Sequence, residues 1–130
     1  MGDSHGVISI GRNLAVSDIF LTTADVNNKI TIGDDCLISA KVIVRGSDGH
    51  SIIDDSTGRR INPAKDVTIG DRVWIGYGVT ILKGSVIGDD SVIGTNALVS
   101  GNIPAHSVAV GFPAKVIKEN ISWKEERIKS

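Results

Sequence analysis

The sequence predicts an all-β fold, a parallel β-solenoid of stacked triangular coils. Three observations predict it. Between Val67 and Gly101 an aliphatic residue returns at a period of six, as Ile69, Ile75, Ile81, Ile87, Ile93 and Val99. A second series, four residues after the first, is apolar or small: Val73, Val79, Ser85, Ser91, Ala97 and Ile103. The pairs between them, such as Asp71-Arg72, Tyr77-Gly78, Lys83-Gly84 and Asp89-Asp90, are mostly polar or contain glycine. A period of six matches neither the helical repeat nor the simple alternation of a lone strand. It fits short strands joined at tight corners, which Gly, Asn and Asp favour because they tolerate positive φ or bond the local backbone. Three sides close a coil of about eighteen residues, and coils about 4.8 Å apart stack like residues into interior columns.

The repeat opens irregularly. Ile10-Gly11 with Leu14 makes one hexapeptide and Val16 leads the next, but the following lead is Val26, so extra residues are expected to bulge near Thr22–Asp25. From Val26 the register runs through Ile32, Ile38 and Val44 and places His50 at the next lead position. An imidazole thus stands in an aliphatic slot, after Asp48-Gly49, and the repeat does not resume until Ile69. The stretch 51–66 carries Asp54, Asp55, Gly58, Arg59, Arg60 and Pro63. Too polar to follow the core, it is expected to project as a loop, where repeat folds often place function. His50, at the loop root, is either a histidine hydrogen-bonded at a coil end or a general base in the neutral pH range; spacing leaves both open. Beyond Val99, Ile103-Pro104 and Gly111-Phe112-Pro113 are turn signals, followed by an apolar strand around Ala114 to Ile117. Ser122-Trp123-Lys124-Glu125 has the form of a capping box, and Ile117, Ile121, Lys124 and Ile128 share a helical face. A short C-terminal helix is therefore expected over about 122–129, covering the end of the solenoid and its unpaired backbone groups.

Composition bounds the rest. With 130 residues the chain is expected to form a single domain over 1–130, and a net charge of −1 offers no electrostatic case for nucleic acid or an anionic membrane. No apolar run approaches the ~18 residues of a membrane span, and no signal peptide is expected; Met1-Gly2-Asp3-Ser4-His5-Gly6 reads as a solvated start. Cys36 is the lone cysteine, which excludes an internal disulfide and fits a reducing cytoplasm. It lies four after Ile32, so a small buried hydrophobe is its expected role. His5 and His106, each in a Gly- or Pro-flanked stretch, read as non-catalytic.

Taken together, the repeats, the run Asp71-Arg72-Val73-Trp74-Ile75-Gly76, the run Ile81-Leu82-Lys83-Gly84 and the segment Gly111-Phe112-Pro113-Ala114-Lys115-Val116-Ile117 resemble the hexapeptide-repeat acyltransferases. The resemblance implies a left-handed parallel β-helix, acetyl-CoA as co-substrate and a homotrimer with active sites between subunits. Ser47-Asp48-Gly49-His50-Ser51-Ile52, followed by Gly58-Arg59-Arg60-Ile61-Asn62, is similar to the branch that O-acetylates sugars of surface glycans. It implies that His50 takes the proton from an acceptor hydroxyl as that oxygen attacks the thioester, with direct transfer. A corner N–H would stabilise the oxyanion, and Gly76 is the expected donor because its missing side chain permits close approach. For the coenzyme the resemblance implies Trp74, Gly76, Tyr77, Gly94, Ser100, Gly101 and Pro113, with Lys115 and Lys118 toward its phosphates; Gly101 stands where a lysine is common in the family. For the acceptor it implies Asp48, Trp74, Arg59 and Arg60, Asp48 being either an orienter of the imidazole or a solvated turn residue. No metal is implied.

Two rival readings remain. Some trimeric left-handed β-helices hold zinc through histidines, two of them close in sequence, as carbonic anhydrases; here the histidines are scattered, which argues against that chemistry. A non-catalytic solenoid, a scaffold or an ice-binding face, would not need His50, Trp74 and a projecting loop together, and Thr68, Thr80 and Thr95 keep no common phase.

Overall fold

The computed structural model describes residues 6–24 and 27–129. The first coil holds β1 (Val7–Ile10), β2 (Ala15–Val16) and β3 (Ile19–Thr22). The second holds β4 (Lys29–Ile32), β5 (Leu37–Ile38) and β6 (Val42–Arg45). The third holds β7 (Val67–Ile69), β8 (Trp74–Ile75) and β9 (Thr80–Ile81), and the fourth β10 (Val86–Ile87), β11 (Val92–Ile93) and β12 (Leu98–Val99). Then β13 (Asn102–Ile103) and β14 (Ser107–Gly111) begin a fifth coil, and β15 (Ala114–Glu119) turns back antiparallel to β14. Corresponding strands pair in parallel into three faces: β1-β4-β7-β10-β13, then β2-β5-β8-β11-β14 with β15 outermost, then β3-β6-β9-β12.

The six-residue period is the register of these faces. Ile10, Ile32, Ile69, Ile87 and Ile103 stack on the first face. Val16, Ile38, Ile75, Ile93 and Ala109 stack on the second, and Leu21, Val44, Ile81 and Val99 on the third. The leads from Ile69 to Val99 are all buried, as are Val73, Val79, Ser85, Ser91 and Ala97 of the second series. Each fully buried Ile or Val contributes about 1.5–3 kcal/mol of transfer free energy. The hydroxyls of this second series are paired, Ser85 Oγ with the Val99 carbonyl at 3.1 Å and Ser91 Oγ with that of Pro104 at 2.9 Å, as burial of a polar group requires. Cys36 is buried, with Sγ 3.2 Å from the Gly70 carbonyl oxygen, and burial pushes its thiol pKa up. It is a core residue.

The corners use the chemistry the sequence offers. Asp35, Arg72, Asp90 and Asn96 take left-handed φ values. A ladder of aspartates spans the coils: Asp34 Oδ1 accepts the Arg12 N–H at 2.8 Å, Asp71 Oδ1 that of Asp34 at 2.8 Å, and Asp89 Oδ1 that of Asp71 at 2.7 Å. Arg72, strained for a long side chain at φ 52°, is held by Asp90 through Nε at 2.8 Å and Nη2 at 3.1 Å.

Three expectations need correction. The third side of the first coil is led by Leu21, five residues after Val16, where no lead was expected, while the extra residues fall between β3 and β4, the stretch where a bulge was expected. Asp25 and Val26, like Met1 to His5, lie outside the described residues. The C-terminal helix is absent: 122–129 contains no helical turn. Eight residues are too few to nucleate a helix unaided, and tertiary contacts win instead. The Ile121 N–H donates to the His106 carbonyl at 3.0 Å, the Trp123 Nε1–H donates to that of Arg72 at 2.6 Å, and the Trp123 ring packs on Trp74 with centroids 5.9 Å apart. Finally, His50 fills no interior slot. It lies exposed at a bend, and the column continues from Val44 directly to Ile81.

Candidate active site

The edge between the third and first faces carries the candidate residues His50, Ser100 and Gly101. Each coil crosses it after its third strand, and there the second coil inserts 46–66, the third places Leu82-Lys83-Gly84 and the fourth Ser100-Gly101. The insertion projects as expected, almost wholly exposed. It is a short antiparallel excursion, with an Ile53–Arg60 bridge, the Asp54 N–H on the Arg59 carbonyl at 2.9 Å and the Ile61 N–H on that of Ile52 at 2.8 Å.

Asp48 has a different role from either one expected. Its Oδ2 accepts from Lys83 Nζ at 2.7 Å and from Asn62 Nδ2 at 2.9 Å. The Lys83 hydrogen bond, with that from Asn62, holds its carboxyl below the usual aspartate range. The carboxylate thus ties the loop to the next coil and does not serve the imidazole. Lys83 also donates to the Pro63 carbonyl at 3.0 Å. Lys83 and Asn62 were not anticipated from sequence; the signal was a lysine at a corner facing an insertion rich in aspartate. Arg59 is exposed at the loop tip, whereas Arg60 Nε is drawn inward to Asn62 Oδ1 at 3.1 Å.

Two coils farther along the same edge, about 10 Å by strand spacing, lies a cleft of about 330 Å³ lined by Ser100, Gly101, Asn102, Ile103, Pro113, Ala114 and Lys115. It unites four residues expected to bind the coenzyme, Ser100, Gly101, Pro113 and Lys115, and adds Asn102, Ile103 and Ala114. A Cβ at Gly101 would meet nothing within 4 Å, so the position faces open space. Lys118 lies outside the cleft wall, opposite Val108 in the β14–β15 pair.

The remaining expected residues sit elsewhere. Gly76 and Tyr77 lie on the edge between the second and third faces, and Trp74 on the second face. Gly76 is not an oxyanion donor: it is buried and its N–H donates to the Ile93 carbonyl at 2.8 Å. Its missing side chain serves coil stacking, since a Cβ would stand 2.9 Å from Thr95 N and 3.0 Å from the Ile93 carbonyl oxygen. Gly94 is small for the same reason, a Cβ there meeting Val110 Cγ1 at 2.7 Å. Tyr77 is 46% exposed, and its N–H donates to no backbone carbonyl among the described residues. Trp74 keeps an exposed portion while Trp123 covers part of it. One chain therefore brings the His50 loop and the Lys115 cleft together on one edge, and leaves Trp74 and Tyr77 apart from them.

Residues 66–101 match the model of the bacterial transferase hexapeptide, six repeats. Among solved structures, a polySia-specific acetyltransferase is 41% identical, with a TM-score of 0.88 over 93% of this chain and 56% of its own. A maltose O-acetyltransferase from Clostridium difficile 630 is 31% identical, TM-score 0.62, over 92% of this chain and 70% of its own. A galactoside acetyltransferase in complex with coenzyme A is 30% identical, TM-score 0.66, over 96% and 66%. The chain belongs to the hexapeptide-repeat acyltransferase family. Its fold is accordingly the left-handed parallel β-helix. It spans 38% to 62% of the length of the first three curated relatives it matches.

Proposed function

We propose that the protein is an acetyl-CoA-dependent O-acetyltransferase acting on a sugar hydroxyl of a surface glycan or its precursor. The observation that carries this reading is the alignment of His50 and the Lys115 cleft along one edge. The coenzyme enters by that cleft, Lys115 meeting its phosphates as a point charge, and the thioester lies toward His50. The imidazole takes the acceptor hydroxyl's proton as the oxygen bonds to the thioester carbonyl carbon. The resulting oxyanion collapses, the C–S bond breaks, and the proton passes from the imidazolium to the departing thiolate. No acyl-enzyme is needed, because holding both substrates in one groove supplies the proximity. Arg59, exposed on the loop, is the acceptor contact this arrangement favours.

The oxyanion donor is the Tyr77 N–H, supplied by a neighbouring subunit of a homotrimer. Two adjoining faces support that assembly through their outward ranks: Phe20, Ile43, Thr80 and Leu98 on the third, and Ala15, Leu37, Trp74, Val92 and Val108 on the second. Phe20 is 60% exposed in the single chain, and contiguous outward apolar ranks of this kind mark association surfaces. The buried lone Cys36 suits a cytoplasmic enzyme.

Incubation with radiolabelled acetyl-CoA and a sialic acid oligomer, maltose or a galactoside tests the function. Alkali-labile label on at least one acceptor is expected. No transfer to any sugar, together with no thermal stabilisation by coenzyme A, would leave a non-catalytic solenoid as the better reading.

A further inference from the structure

The imidazole of His50 has no hydrogen-bond partner among the described residues, and Asp48, the adjacent carboxylate, is engaged elsewhere. What fixes its aim is the backbone that carries it. Asn62, on the returning limb of the loop, grips that backbone. Its Nδ2 donates to the His50 carbonyl at 2.8 Å and to Asp48 Oδ2 at 2.9 Å. Its Oδ1 accepts the Ile52 N–H at 2.7 Å and Arg60 Nε at 3.1 Å. All four hydrogen-bonding positions of the amide are in use, and the residue is only 6% exposed although its neighbours Ile61 and Pro63 are exposed. Three of the four bonds fall on residues 48, 50 and 52, so one side chain spans the bend around the histidine.

We infer that Asn62 is the positioning residue of the reaction, setting the direction in which the His50 imidazole meets the acceptor hydroxyl, while Lys83 anchors the clamp to the solenoid through Asp48 and the Pro63 carbonyl. The inference rests on His50 being the base. The core columns lie beneath the loop and do not include Asn62, so a variant at this position should misdirect the imidazole before it unfolds the protein. Aspartate keeps the shape and the acceptor but loses both donors and sets a like charge against Asp48.

A double-mutant cycle tests it, with Asn62→Ala, Asn62→Asp, His50→Ala and the combinations assayed with acetyl-CoA and the best of a sialic acid oligomer, maltose and a galactoside. Each Asn62 variant is expected to lower kcat about 10- to 100-fold, the scale of an ångström of misplacement, with the KM for acetyl-CoA little changed. In the His50→Ala background the same substitutions should cost less than about threefold, because there is no base left to misdirect. Equal losses in both backgrounds, undiminished activity in the Asn62 single variants, or loss of the folded state in both of them would overturn the inference. His50→Ala with wild-type kcat would remove the base reading and this inference with it. An inactive His50→Ala beside fully active Asn62 variants would remove this inference alone.

Discussion

The Gly76 N–H donates to the Ile93 carbonyl at 2.8 Å, and this bond converts an expected catalytic position into a packing position. Any Cβ at Gly76 meets backbone atoms of the next coil, which cannot swing aside. Gly76→Ala should therefore destabilise the protein by about 1–3 kcal/mol, the usual cost of overpacking. Below its lowered melting temperature the variant should retain the wild-type KM for acetyl-CoA. An unchanged Tm with a raised KM would return Gly76 to the site.

Lys115 is the cation lining the cleft, with Ser100, Gly101 and Pro113 as neighbours. Lys115→Glu replaces attraction by repulsion toward an anionic ligand. The KM for acetyl-CoA should rise about tenfold or more, while that for the acceptor moves little. Lys118→Glu, outside the cleft wall, should raise it less. Equal effects of Lys115→Glu on both substrates would place the coenzyme elsewhere.

The Arg72–Asp90 pair gives a pH prediction with a definite sign. The Arg72 hydrogen bond holds the Asp90 carboxyl below its ordinary value. A depressed carboxylate contributes stability that is complete above the unfolded pKa, about 4, and is lost as pH falls through the lower folded value. The Tm difference between wild type and Asp90→Asn should be present at neutral pH and shrink only in strong acid. A difference that vanished between pH 7 and 5 would contradict this account of the pair.

Much of the fold was legible because one physical constraint repeats. Each interior slot accepts only an aliphatic or small residue, so Ile69 through Val99 announced both period and register. The first coil was misread because Leu21 arrives one residue early, and a period cannot mark its own deletion. The helix over 122–129 was misread because its pattern was local, whereas the decision was tertiary: Trp123 finds Trp74 and the Arg72 carbonyl, contacts that span the solenoid. In the site, the repeat places Ser100 and Gly101 at a coil corner, while Pro113 and Lys115 reach the same cleft through the β14–β15 hairpin. Asn62 and Lys83 went unseen because their importance lies in hydrogen bonds across an insertion, which no periodicity encodes.

The proposed chemistry depends on His50, and kcat for His50→Ala, measured beside its Tm and coenzyme A binding, tests that most directly. A positioned base is worth about 10²–10⁴-fold, so kcat should fall by that factor while Tm and coenzyme binding hold, since His50 is exposed and outside the core. A folded, coenzyme-binding His50→Ala protein that turns over at the wild-type rate would contradict the mechanism outright.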